Sequence, residues 1–139
     1  FSVGRITYLF DGLHLWYALP SGRVLCYPFA RFNEEGDLTY AKASWKPAAD
    51  AKEWPRARLW RGLACENITQ AVANDLLRYA LRRLDDVVLH IHDEIVLEVP
   101  EADAEAAAER LVQIMCEPPP WASGLPLNAE VAIMERYGK

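Results

Sequence analysis

At 139 residues and 52% apolar composition, the chain is long enough for one domain with its own core. A net charge of −5 speaks against a self-sufficient nucleic-acid binder, which carries a basic face. No run of about 18 apolar residues is present, which excludes a transmembrane helix.

Cys26, Cys65 and Cys116 are isolated thiols with no CxxC pair, a pattern of reducing, cytoplasmic surroundings and of neither a disulfide nor a zinc framework. No signal peptide precedes Phe1, and Phe1 is not an initiator Met, so a chain cut from something longer is expected. Ile6–Phe10 and residues 13–19 read as strands, the second carrying Trp16 and Tyr17. Pro20, Ser21 and Gly22 form a turn cluster, after which Val24–Tyr27 returns as a further strand. Residues 1–30 are therefore a β-hairpin region. Residues 31–58 are polar, carry Gly36, Pro47 and Pro55, and read as a loop excursion with one short strand around 38–43.

Residues 59–84 hold the longest helical pattern. Trp60, Leu63, Ala64, Ile68, Ala71, Val72, Leu76, Tyr79, Ala80 and Leu84 recur at three-four spacing with no proline inside. Asn67, Gln70, Asn74 and Arg78, also three and four apart, share another face. Polar residues on the outer face of an amphipathic helix need no function. Amide and guanidinium donors in a row can equally engage the purine N3 and pyrimidine O2 acceptors that every base pair presents in the minor groove.

The most pointed stretch is 87–100, VVLHIHDEIVLEVP. Two short apolar runs, read as buried strands, flank His92, Asp93 and Glu94 and leave room only for a tight reversal, so a β-hairpin with its acids at or beside the turn is expected. Acids at a turn are often merely solvated. Adjacent carboxylates nevertheless repel unless a cation sits between them, and such hard oxygen ligands suit Mg²⁺. Pro100 then stops the strand, and residues 101–117 read as an Ala-rich helix with acids near its N-terminus, where the helix dipole favours them. Its apolar face is Ala104, Ala107, Ala108, Leu111, Ile114 and Met115, and Pro118, Pro119 and Pro120 end it. Charge is uneven along the chain. Lys52, Arg56, Arg58, Arg61, Arg78, Arg82 and Arg83 gather in the middle, whereas Glu101, Asp103, Glu105, Glu109 and Glu117 follow the hairpin.

The His-Asp-Glu hairpin resembles motif C of the family A (Pol I-like) DNA polymerases. The run GLACENITQAVANDLLRYAL over 62–81 is similar to the phage-type branch of that family, through Glu66, Asn67, Gln70, Ala71, Asp75, Leu76 and Leu77. LPSGRVLCYP over 19–28, WASGLPL over 121–127 and the final Arg136, Tyr137, Gly138 and Lys139 extend the resemblance in the same order. Relatives often carry a second Gly and a Lys where this chain has Arg61 and Leu63, so Arg61 is the expected substitute phosphate contact. Val131–Met134 replaces a more polar stretch and is expected to form a C-terminal strand.

The resemblance implies an α+β fold: the C-terminal part of a polymerase palm, an antiparallel sheet with a metal-binding β-hairpin backed by two helices, in one domain over 1–139. Residues 59–139 then supply helix, hairpin, helix and C-terminal strand. It implies a DNA-directed DNA polymerase, a nucleotidyltransferase of DNA replication or repair, as the parent protein. Asp93 is the expected metal ligand, Glu94 an auxiliary catalytic carboxylate, and His92 a support for the primer terminus. Gln70, Asn67, Asn74, Arg78 and Arg61 are the expected DNA contacts, with primer-template DNA and a dNTP as partners. Two-metal transfer with Mg²⁺ needs a further carboxylate from a preceding strand, motif A, and a basic fingers helix grips the nucleotide. Neither is visible, so both are expected from the remainder of the polymerase chain, and the isolated piece is expected to be inactive. Two other readings stand beside this one. One is a metal-dependent hydrolase using His90, His92 and Asp93, with His14 as the remaining histidine; the other is a non-catalytic remnant.

Overall fold

In the computed structural model, residues 1–43 and 54–138 are described, so Lys52, Lys139 and residues 44–53 of the expected excursion lie outside them. The chain forms two compact units, Phe1–Val72 and Ala73–Lys139. The fold is α+β, with antiparallel sheets and two α-helices among the described residues. None of the described helices is long and apolar enough to cross a membrane.

The first unit opens with a four-stranded meander of β1 (Ser2–Val3), β2 (Ile6–Phe10), β3 (Leu15–Ala18) and β4 (Val24–Tyr27). Alternation places Tyr8, Tyr17 and Leu25 opposite one another across β2, β3 and β4. The β2–β3 turn is organised by Asp11, whose carboxylate accepts the backbone N–H groups of Leu13 and His14 and the indole N–H of Trp16, all within 2.8 Å. Those bonds, the indole's foremost, hold the Asp11 pKa down at about 2. The β3–β4 turn falls where Pro20-Ser21-Gly22 places it, with Gly22 at φ +87°, a conformation open to glycine at little cost.

Strands also occupy the expected loop excursion. β5 (Arg31–Phe32), β6 (Leu38–Ala41) and β7 (Arg56–Arg58) form a three-stranded antiparallel sheet with β6 in the centre. Only β6 was signalled by composition, because β5 and β7 are two and three residues long and carry arginines. Tyr17, Leu19, Tyr27 and Tyr40 form the core. Tyr17 stacks on Tyr27 at 5.1 Å, and Tyr40 meets Tyr27 edge-on at 5.0 Å.

Helix α1 (Arg61–Leu81) contributes to both units. Its first half packs Leu63, Ile68, Ala71 and Val72 on the tyrosine core. Its second half packs Leu77, Ala80 and Leu81 with Ile95, Leu111 and Ile114. The single apolar stripe expected along the helix is thus corrected at two points. Leu77 rather than Leu76 is the buried leucine, and Trp60 stands 58% exposed before the helix starts.

In the second unit, β8 (Val87–Ile91) and β9 (Glu94–Leu97) form a two-stranded antiparallel hairpin. A 3-10 turn at Glu101–Asp103 leads into α2 (Ala104–Cys116). Arg83 pairs with Glu117 and lies 5.2 Å from the Tyr79 ring centroid, tying the regions that follow α1 and α2. The expected C-terminal strand does not form: residues 123–138 carry no strand, and Val131, Ile133 and Met134 are exposed. Apolar composition there meets no ladder partner among the described residues.

Candidate functional site

The apolar runs around His92-Asp93-Glu94 do fold back on each other. Ile91 pairs with Glu94 to close a two-residue turn made of His92 and Asp93, so Glu94 is the first residue of β9 rather than part of the turn. His92 has φ 54°, a left-handed backbone at the first central position, where hairpin turns ordinarily use glycine. Such a conformation in a non-glycine residue costs about 1–3 kcal/mol and concentrates at functional sites. Asp93 is exposed beside it, while Glu94 is half-buried and accepts a hydrogen bond from the Tyr137 hydroxyl at 3.1 Å.

The hairpin differs from expectation in its burial. Ile95 faces the core, but Val88, Leu89 and Ile91 of β8 are 57%, 40% and 37% exposed. Among the described residues the sheet has these two strands, and the register breaks between Val87 and Leu89. Only Val87 of β8 packs against the buried cluster.

On α1, Gln70, Asn74, Arg78 and Arg61 are exposed. The Gln70 amide donates to Glu66 one turn earlier at 3.2 Å. Asn67 is engaged differently. It is half-buried, and its Nδ2 donates to the Tyr27 hydroxyl at 3.0 Å, linking the helix to the meander.

His14 takes a packed role: its Nδ1 accepts the Phe29 N–H at 3.0 Å, and its ring meets Trp16 and Phe29 edge-on. A metal site built on His90 and His92 would need more ligands. Among the described residues no three His, Cys, Asp or Glu side chains gather where they could share a metal. Asp93 and Glu94 supply adjacent carboxylates, the hard donor type that Mg²⁺ takes one or two of, alongside substrate phosphates. Tyr137 is the residue near these carboxylates to which sequence reasoning assigned no role. Its place in the terminal Arg-Tyr-Gly-Lys was visible, but nothing in spacing links it to Glu94.

The chain is 35% identical over 138 residues to a protein named DNA polymerase from Bacillus phage SP02. That similarity covers 96% of this chain and 21% of the phage protein, so the chain spans about a fifth of that relative's length. No protein-family model matches the chain. No solved structure matches it either. The similarity runs along nearly the whole chain and is to part of a protein named DNA polymerase.

Proposed function

We propose that this chain is the part of a family A DNA polymerase that carries motif C, and that His92, Asp93 and Glu94 belong to its nucleotidyl-transfer site. The observation that carries this reading is the His-Asp turn closed by Glu94, with its strained His92, in a chain similar along nearly all its length to a phage DNA polymerase.

The reaction is attack of a primer 3′-hydroxyl on the α-phosphate of a dNTP, with departure of pyrophosphate. Asp93, exposed at the turn, is the residue that holds Mg²⁺, and Glu94 is its auxiliary. Bound there, Mg²⁺ supplies positive charge against the phosphates being transferred. A second carboxylate comes from the rest of the polymerase. His92 supports the primer end, and its backbone conformation sets the direction in which Asp93 leaves the hairpin. Gln70, Asn74 and Arg78 contact minor-groove acceptors irrespective of sequence, as copying demands, and Arg61 contacts phosphate. Asn67 joins that row while anchoring the helix to Tyr27.

The test is primer extension by the longer protein that carries this chain. Supplied with Mg²⁺, primed DNA and the four dNTPs, it is expected to add bases that follow the template. Absence of extension, or addition indifferent to the template, contradicts the reading.

A further inference from the structure

Glu94 and Tyr137 lie 43 residues apart in sequence, yet the phenol hydroxyl donates to Oε2 of the carboxylate at 3.1 Å. Glu94 has its backbone fixed by pairing with Ile91, but its side chain is long and rotamer-rich. A glutamate beside a reacting centre is effective only when held in one orientation, and a neighbouring hydrogen-bond donor is the usual means of holding it. Upstream of Tyr137 in the second unit, Val131 and Ile133 line an open groove with Ala108 and Val112 of α2 while remaining exposed themselves. Tyr137 is 42% exposed, and its hydroxyl reaches the Glu94 carboxylate.

We propose that Tyr137 is a positioning residue for nucleotidyl transfer, its hydroxyl fixing the Glu94 carboxylate beside the Asp93 turn. The C-terminal segment is then a working part of the site. This rests on the polymerase reading given above.

The experiment is a double-mutant cycle in the longer protein, with Tyr137→Phe, Glu94→Ala and the pair, and with Asp93→Asn alongside. Tyr137→Phe keeps the ring and removes only the donor. It is expected to lower kcat for single-nucleotide incorporation about tenfold and to raise the Mg²⁺ concentration for half-maximal rate, with the KM for dNTP, primer-template affinity and melting temperature unchanged. In the Glu94→Ala background the same substitution is expected to change kcat less than about twofold, because its target is gone. Full kcat in Tyr137→Phe, or equal losses in both backgrounds, overturns the inference; if Asp93→Asn is then inactive, the polymerase reading stands without it. Retained incorporation by Asp93→Asn overturns that reading and the inference together.

Discussion

His92 occupies a backbone conformation that glycine adopts with little strain, at the tip of a hairpin whose register also breaks between Val87 and Leu89. Replacing it isolates that strain. His92→Gly is expected to raise stability by about 1 kcal/mol, read as a higher denaturant midpoint at unchanged slope, while slowing nucleotide incorporation. A variant that is both destabilised and fully active would remove the functional meaning of the strain. The His-Asp-Glu order and the reversal around it were legible from residue types alone. The left-handed φ and the Tyr137 contact were not, because a single sequence records neither backbone angles nor contacts across 43 residues.

Among the elements, the β2–β3 turn and α1 carry the clearest expectations. Asp11 has its pKa lowered from an ordinary 3.8 to about 2, so its contribution to stability is present above about pH 4 and is lost as pH falls through 2. The melting-temperature gap between wild type and Asp11→Asn is therefore expected to be constant near neutrality and to close between pH 4 and 2. A gap unchanged at pH 2 would show that the carboxylate's charge is not what organises this turn. On α1, the buried leucine is Leu77, with 8% exposure. Leu77→Ala is expected to cost about 2–5 kcal/mol in chemical denaturation, and Leu76→Ala less. Equal costs would contradict the packing described. The helix itself was legible from its spacing. Which leucine is buried was not, because Leu76 and Leu77 are adjacent and a helix with two packing halves does not hold one stripe throughout. β8 escaped in the opposite sense: Val and Ile announced a strand, but composition cannot say whether neighbours cover it.

For the whole molecule, length and composition pointed to one core, and the structure forms two. The division falls between Val72 and Ala73, inside α1, where none of the proline, glycine or polar runs that mark a linker occur. At this scale the chain's acidic balance also matters. With a net charge of −5 it can neutralise few phosphates alone, so the proposed function leaves most of the grip on DNA to residues outside this chain. The central claim is that the Asp93 carboxylate takes part in phosphoryl transfer. Its most direct test is single-turnover incorporation of one nucleotide by the Asp93→Asn form of the longer protein, with primer-template affinity measured on the same preparation. The amide keeps the side chain's shape and removes its charge, so the rate is expected to fall by about 10³-fold with DNA affinity within about threefold of wild type. Incorporation at the wild-type rate by that variant would contradict the account.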